Sequence, residues 1–393
     1  MQIRRKQTSP VDLVCKILGA YSGWIFGLVL LFMCLGLLTQ SSDVRERELN
    51  TVAHQLRIPT ANEVESPEKT PVVVLSSHHN DGDSSNSNRK SIVIPGTDLL
   101  CADAKKKVLS KEWPDPNEGR VWARETITYP HFYITLHAEE YDPVRWRIME
   151  EGKYYETEVH ERFVQILDGI PSSYVLDVGA NIGYYTLLSA SLGHKVISFE
   201  PNPANVLRLC DSRRLNDFLE TPEIHIFQNA VSNVHGEEMM LHSPRNPGQA
   251  FLKPIEGADE ETNEHKAKTT VVMLDRVAED QGWFDRPDFK IKLMKVDVEG
   301  KEPQVFIGAP KLLSSGIVEN ILAEGRRFGR ENIIQSFEVL FESGYTMKEP
   351  AIPIPSEKTA KQKAKIVSEW YIGKLGNHSM ACRDMWWVRA DAT

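Results

Sequence analysis

The sequence lacks a surplus of positive charge. Its 393 residues include 46 Lys and Arg against 55 Asp and Glu, which gives a formal net charge of −9 at pH 7. Proteins that bind nucleic acid concentrate Lys and Arg on one face to contact phosphates, and no such concentration is visible in the sequence. We therefore expect no nucleic acid among the partners of this protein.

Several common catalytic and metal-binding motifs are also absent. The five cysteines include no Cys-x-x-Cys pair, which argues against a zinc ribbon and a thioredoxin-type site. There is no Gly-x-Ser-x-Gly elbow and no phosphate-binding P-loop, which removes the commonest hydrolase and kinase interpretations. Cys101 and Cys382 could pair in an oxidising compartment, and three free thiols, with Cys210 as the third, are the alternative.

One long segment lacks charge altogether. Residues 17–38 are uncharged and mostly apolar, and as a helix they would span about 33 Å, enough for the core of a bilayer. The basic residues of segment 1–16 precede it and keep that tail cytoplasmic by the positive-inside rule. We expect an uncleaved signal anchor and a single-pass type II membrane protein, with its catalytic part in the lumen of the Golgi or endoplasmic reticulum. A removed signal peptide is the alternative. The N-glycosylation sequon at Asn377 is consistent with a luminal placement.

Composition divides the rest of the chain into three parts. Residues 39–120 are rich in Ser, Asn, Asp, Glu, Lys and Pro; they cannot bury enough apolar surface to offset their ordering entropy, which predicts a flexible stem. Residues 121–170 are expected to form cap elements over one edge or mouth of the next domain, with a strand over 133–137 and a helix over 155–167. Residues 171–393 are expected to form the catalytic domain.

The most informative stretch is residues 174–203. An apolar run suited to a strand buried on both faces opens it. Gly179, Asn181 and Gly183 then predict a tight turn before a helix, and a second apolar run ends at Glu200. Such a strand–turn–helix–strand unit places a ligand at the carboxyl ends of the strands.

Two cofactors are compatible with this layout. A dinucleotide site requires Gly-x-Gly-x-x-Gly, so that a pyrophosphate can approach the helix N-terminus. Here Asp177 precedes the first glycine by two residues; its carboxylate suits the ammonium group of S-adenosylmethionine (AdoMet) and would oppose a pyrophosphate. Glu200 can accept hydrogen bonds from both ribose hydroxyls. AdoMet is therefore favoured, and an NAD-dependent enzyme is the alternative. The other predicted cofactor contacts are Asn202 and, at the end of a third strand over 223–231, Asn229 and Ala230.

Four motifs in succession resemble those of FkbM-type class I methyltransferases: VLDVGANIGYYT, FEPNP, QNAVSN and LMKVDVEGKEPQVFIGA. The similarity extends over residues 159–344. It implies a Rossmann-like α/β fold, with a mostly parallel seven-stranded sheet and helices on both faces. It also implies O-methylation of sugars or other small hydroxylated molecules, without fixing the acceptor.

The remaining sequence predicts further elements by apolar pattern and turn residues. They are a hairpin over 236–253, a mobile polar loop over 258–268, strands over 269–274, 291–298 and 320–323, helices starting at 274 and over 302–313 and 331–342, a polar loop over 350–368, and a closing strand over 384–389.

Carboxylates at the ends of two predicted strands are the catalytic candidates. Methyl transfer to a hydroxyl requires a general base within hydrogen-bond reach, and Asp297 is the first choice, followed by Glu299 and Glu324. Alternatively, Asp297 only fixes the loop backbone or the cofactor amine. No complete set of metal ligands is evident, so no metal is expected; a divalent metal that bridges these acids, as in some O-methyltransferases, is the alternative. The alternative from another functional class is a catalytically inert, membrane-tethered binding module on the same fold.

Overall fold

The computed structural model describes residues 100–101, 122–127, 129–137, 144, 148, 156–219, 222–243, 251–254, 265–325, 332–375 and 384–391. All of them belong to one compact unit, Val74–Thr393. The predicted tail, anchor and most of the stem lie outside the described residues. Within the described part, no helix is both long and apolar enough to cross a membrane.

The strands are β1 (Trp122–Glu125), β2 (Tyr133–Leu136), β3 (Tyr174–Val178), β4 (Lys195–Phe199), β5 (Ile224–Phe227), β6 (Asn229–Val231), β7 (Glu237–Ser243), β8 (Phe251–Pro254), β9 (His265–Val272), β10 (Ile291–Val296), β11 (Val318–Ala323), β12 (Tyr345–Glu349) and β13 (Met385–Arg389). The helices with described bounds are α1 (Thr157–Leu167), α2 (Tyr184–Ser191), α3 (Pro203–Leu215), α4 (Leu274–Asp280), α5 (Glu302–Ile307), α6 (Pro310–Ser314), α7 (Ile333–Glu342) and α8 (Ala360–Leu375).

A seven-stranded sheet forms the centre of the domain, in the order β12-β13-β11-β10-β3-β4-β5. Strands β3, β4, β5, β10 and β11 are parallel, and β13 runs antiparallel to both of its neighbours. This mixed, mostly parallel sheet confirms the predicted Rossmann-like α/β fold. It also brings the carboxyl ends of β3, β4, β10 and β11 to one edge, where ligands bind in folds of this kind.

Both faces of this sheet are buried, which explains the continuous apolar runs in its strands. Successive side chains of a strand point to opposite faces. In β3, Leu176 and Val178 belong to one hydrophobic cluster and Val175 belongs to another. All three are fully buried. Helices on both sides of the sheet contribute to these two clusters, together with the other strands, as expected for a parallel sheet.

A second, four-stranded sheet has the order β6-β9-β7-β8. The predicted hairpin over 236–253 is present as the antiparallel pair β7 and β8. The prediction of one strand over 223–231 was wrong: the chain changes sheet at Gln228, so β5 pairs with β4 whereas β6 pairs with β9. The predicted polar loop was too long, because residues 265–268 already belong to β9.

One helix prediction and one loop prediction also need correction. The helix expected over 302–313 is divided into α5 and α6, because Pro310 lacks an N–H donor and disfavours helical geometry at the residue before it. The polar loop expected over 350–368 instead contains the start of α8. That helix buries only Ala364, Val367, Ser368 and Tyr371 among its described side chains, so its first two turns tolerate many polar residues.

Within the predicted cap, the structure describes strands β1 and β2 and helix α1. Strand β2 and helix α1 confirm the elements predicted over 133–137 and 155–167. Leu100 and Cys101, within the predicted stem, are buried, and Cys101 forms a disulfide with Cys210 of α3. The pairing considered from the sequence, Cys101 with Cys382, is therefore not the one in the structure.

Candidate active site

A cavity of about 160 Å³ lies at the carboxyl ends of β3, β4 and β10. Its polar lining includes Asn181, Glu200, Asn205, Asn229, Lys295, Asp297, Glu299 and Lys301, and its apolar lining includes Val144, Phe199, Ala230, Leu241, Phe251 and Leu252. The cavity therefore combines apolar walls with a few converging polar groups, which is the usual composition of a cofactor site.

The glycine turn after β3 forms the floor of the cavity. Gly179 has a φ of +87°, and a Cβ atom at this position would lie 1.8 Å from the carbonyl oxygen of Asp297. Only glycine allows both the backbone conformation and this close approach. Asn181 is also left-handed (φ 53°), and its Oδ1 accepts a hydrogen bond from the N–H of Ile182 at 2.8 Å. Asn181 lines the cavity, but its side-chain oxygen is already used to stabilise the turn.

Glu200, at the tip of β4, is held rigidly. Its Oε2 accepts from the N–H of Asn181 at 2.8 Å, and its Oε1 accepts from the N–H of Asn202 at 2.9 Å and from Nδ2 of Asn205 at 3.1 Å. Burial raises the pKa of Glu200 to about 7, although these hydrogen bonds favour the ionised form. A carboxylate oriented in this way can still accept hydrogen bonds from two neighbouring hydroxyls.

Apolar walls close the cavity beyond Glu200. Phe199 stacks on Phe227 with ring centroids 4.8 Å apart, and the hairpin of β7 and β8 contributes Leu241, Phe251 and Leu252. The predicted contacts Asn229 and Ala230 lie on β6 and line the same cavity. Nδ2 of Asn229 donates to the carbonyl of Thr270 at 3.0 Å, so this side chain also ties the second sheet together.

Three residues predicted to contact a cofactor do not line the cavity. Asp177 is fully buried below it and accepts a hydrogen bond from Thr186 at 2.7 Å. Gly183 begins α2, and a Cβ there would lie 2.2 Å from Cδ1 of Leu209, so this glycine serves packing. Asn202 caps α3 by accepting from the N–H of Ala204 at 2.9 Å. The sequence pattern placed these residues near the turn but could not give the direction of their side chains.

A buried lysine, which the sequence analysis did not select, connects the acidic groups. Nζ of Lys295 lies 3.0 Å from Oδ2 of Asp297 and 4.9 Å from the ring centroid of Tyr185. Burial alone would lower the pKa of Lys295. The carboxylates of Asp297, Asp177 and Glu156 raise this pKa by more than burial lowers it, so the net shift is upward. Lys295 is therefore a fixed positive charge in the wall of the cavity.

The predicted catalytic residues are distributed over two adjoining cavities. Asp297 lines both the large cavity and a smaller one of about 10 Å³, Glu299 lines the large one, and Glu324 lines the small one. The N–H of Asp297 donates to Val178 and that of Glu324 donates to Val296, each at 2.9 Å. Parallel pairing of β3, β10 and β11 thus places residues 297 and 324 side by side.

Glu302 joins this group, although the sequence indicated only that it begins a helix. One carboxylate oxygen from each of Asp297, Glu302 and Glu324 lies within 4.8 Å of the others. The structure therefore contains a possible set of metal ligands, although the sequence showed no complete set. Burial raises the pKa of Glu302 to about 7. Burial, followed by the charges of Asp297 and Glu302, raises the pKa of Glu324 to about 9. Asp297 and Glu302 are five residues apart, but Glu324 joins them only through the pairing of β10 with β11, so no local motif predicts the whole cluster.

Comparison with solved structures finds methyltransferases of low similarity. A SAM-dependent methyltransferase from Agrobacterium tumefaciens is 12% identical over 57% of this chain and 58% of its own, with a TM-score of 0.32. A putative SAM-dependent methyltransferase from Streptococcus mutans is 11% identical over 67% of this chain and 54% of its own (TM-score 0.33). The T. thermophilus 16S rRNA N2 G1207 methyltransferase, in complex with AdoMet and guanosine, is 13% identical over 69% and 50% (TM-score 0.31).

The chain thus spans between half and three fifths of the length of these three structures. At such TM-scores we base no argument on them. No curated protein matches the sequence.

The family comparison is more specific. Residues 177–345 match the model of the methyltransferase FkbM domain. This range contains the glycine turn, Glu200, β10 and the carboxylates that follow it. The resemblance stated from the sequence motifs is thereby confirmed over residues 177–345, and the family that they match uses AdoMet.

Proposed function

We propose that this protein transfers the methyl group of AdoMet to a hydroxyl oxygen of a glycan or another small hydroxylated acceptor. The observation that carries the proposal is the position of Glu200. Its carboxylate faces the large cavity and is fixed by Asn181, Asn202 and Asn205. An acidic residue at the tip of the second strand recognises ribose hydroxyls in folds of this type, and the apolar walls beyond it suit an adenine ring.

The acidic end of the large cavity suits the other half of AdoMet. Asp297 and Glu299 lie there, and a carboxylate favours both an ammonium group and a sulfonium ion nearby. Asp297 also lines the smaller cavity, where an acceptor hydroxyl can meet the methyl group.

The proposed reaction is an in-line displacement. The acceptor oxygen forms a bond to the methyl carbon, the carbon–sulfur bond breaks, and its electron pair remains on sulfur as a neutral thioether. The hydroxyl proton passes to a carboxylate, for which Asp297 is the first candidate and Glu299 and Glu324 are the others. Charge is dispersed during transfer, so most of the rate enhancement should come from positioning and exclusion of water.

Product analysis tests the acceptor chemistry. The full chain is incubated with AdoMet labelled in its methyl group and with glycans released from membrane glycoproteins, and the labelled product is analysed for methyl ethers. We expect Asp297→Asn to reduce ether formation by about 10²-fold or more, as for loss of a general base. Asp288→Asn, which changes an exposed aspartate, should leave it unchanged. Label recovered on nitrogen would contradict an oxygen acceptor.

We further propose that residues 17–38 anchor the protein as a type II membrane protein with the domain in the lumen of the Golgi or endoplasmic reticulum. The disulfide between Cys101 and Cys210 supports an oxidising compartment. Digestion of intact microsomes with protease tests this: the domain should be protected until detergent is added. Digestion of the domain without detergent would place it in the cytosol.

A further inference from the structure

Three carboxylates from two segments of the chain, Asp297 and Glu302 in one and Glu324 in the other, meet beside the large cavity. Asp297 follows β10, Glu324 follows β11, and Glu302 begins α5. One oxygen from each lies within 4.8 Å of the others. Two ligand oxygens of one octahedral ion lie at most about 4.2 Å apart for Mg²⁺ and about 4.8 Å apart for Ca²⁺, so no pair of these oxygens is too far apart to share an ion of the size of Ca²⁺.

Glu302 provides evidence for a bound cation that does not depend on the number of acidic residues. Its side chain is 0% exposed. Its Oε1 accepts from the N–H groups of Val298 at 2.9 Å and Gly300 at 3.1 Å, whereas its Oε2 is buried without a hydrogen-bond partner. A buried carboxylate oxygen without a partner is costly. A cation between the three residues would remove this cost.

The surrounding charges favour a divalent ion. Glu324 also has a buried oxygen without a partner, and in addition to Asp297 and Glu302 it faces the charges of Glu299 and Asp384. Among the described residues that line the smaller cavity, Lys295 is the one cationic side chain, and it already contacts Oδ2 of Asp297. Negative charge therefore exceeds positive charge around the three carboxylates.

We propose that Asp297, Glu302 and Glu324 bind one divalent cation, of the oxygen-preferring class of Mg²⁺, Mn²⁺ and Ca²⁺. Three carboxylate oxygens leave further coordination positions for water or for an acceptor oxygen. Its role in methylation rests on the proposed function. Because Asp297 also lines the large cavity, the cation would hold an acceptor hydroxyl near the methyl group and lower the pKa of that hydroxyl. The acceptor would then present oxygen, not a cationic amine, to this site.

Titration with Mn²⁺, followed by electron paramagnetic resonance, tests the site directly. The full chain, stripped with a chelator, should bind one Mn²⁺ in competition with Mg²⁺ or Ca²⁺. Glu302→Gln preserves an oxygen that can accept from Val298 and Gly300 but removes the charge, and we expect a Kd at least tenfold higher. Glu324→Gln should have the same effect. Glu357→Gln, at an exposed position, should bind like the wild type.

Thermal unfolding provides a second measurement. Without metal, Glu302→Gln should unfold at a higher temperature than the wild type, because the substitution removes repulsion between buried carboxylates. Added Mn²⁺ should raise the unfolding temperature of the wild type but not that of the variant. A single cooperative unfolding transition confirms that each variant is folded.

The proposal is overturned if the folded wild type binds no Mn²⁺ up to about 1 mM, the weak end of protein sites for such cations. It is equally overturned if both glutamine variants keep the wild-type affinity. The titration contains neither AdoMet nor acceptor. Failure of the metal site is therefore distinguishable from failure of the proposed function, which AdoMet binding and product analysis measure separately.

Discussion

The ammonium group of Lys295 lies 3.0 Å from Oδ2 of Asp297, and both side chains line the large cavity. Residues 295 and 297 occupy the end of β10 and the position just after it, so both point to the same side of the strand. Asp177, on the neighbouring strand β3, pairs in register with Lys295. One buried cation thus contacts Asp297 and interacts electrostatically with Asp177, and the first candidate for the base is tied to the framework of the sheet.

Replacement of Lys295 by methionine should destabilise the protein strongly. The substitution leaves buried carboxylates without their cation, and breaking a buried ion pair from one side costs about 3–5 kcal/mol. Urea unfolding measures the loss. Lys358→Met, at an exposed site, is the control and should change stability by less than about 0.5 kcal/mol. If the double variant Lys295→Met/Asp177→Asn recovers part of the lost stability, the unpaired charge is the cause of the loss. If Lys295→Met loses no more stability than the control, Lys295 does not stabilise the buried carboxylates.

The affinity for AdoMet should depend on pH through Glu200. Burial raises the pKa of this carboxyl to about 7, and the ionised form is the better acceptor for ribose hydroxyls. Below its pKa the ionised fraction falls about tenfold per pH unit, so the Kd for AdoMet should decrease as the pH rises from about 6 to about 8. Calorimetry at a series of pH values measures this. Glu200→Gln should bind more weakly with a nearly flat profile, and a flat profile in the wild type would exclude Glu200 as the titrating group.

Gly179 and Gly193 form a matched pair for testing the glycine turn. Both have a φ of +87°, but a Cβ at 179 would meet the carbonyl oxygen of Asp297 at 1.8 Å, whereas a Cβ at 193 would meet nothing within 4 Å. Gly193→Ala should cost about 1–2 kcal/mol for the backbone conformation alone. Gly179→Ala should cost more and also abolish AdoMet binding. Equal losses of stability from the two substitutions, measured by urea unfolding, would show that the close approach to Asp297 is unimportant.

The disulfide between Cys101 and Cys210 should contribute to stability. It closes a loop with a sequence separation of 109 residues, for which typical contributions are about 2–4 kcal/mol. The double variant Cys101→Ser/Cys210→Ser should lose this amount in urea unfolding, whereas Cys382→Ser should not. Peptide mapping without reduction should recover Cys101 linked to Cys210. A Cys101–Cys382 peptide would instead restore the pairing considered from the sequence.

The sequence predicted the parts of the site that depend on local pattern. Apolar runs and turn glycines located β3, α2, β4 and β10, and Glu200 and Asp297 follow directly from the ends of those strands. Side-chain direction was not available from the same pattern, which is why Asp177 was expected to contact the cofactor although it lies below the cavity. Contacts between distant segments were also not available. Glu324 lies near Asp297 and Glu302 only because β11 pairs with β10, and the second sheet supplies a wall of the cavity through Leu241 and Phe251.

The central claim, that the large cavity is an AdoMet site, is tested most directly by calorimetry at about pH 8, above the pKa of Glu200. The wild-type chain should bind AdoMet and its demethylated product with micromolar Kd. Glu200→Gln should weaken both by at least tenfold, or about 1.4 kcal/mol, and Glu357→Gln should bind like the wild type. No binding by the folded wild type, or equal binding by Glu200→Gln, would contradict the account and would favour a tethered binding module on this fold.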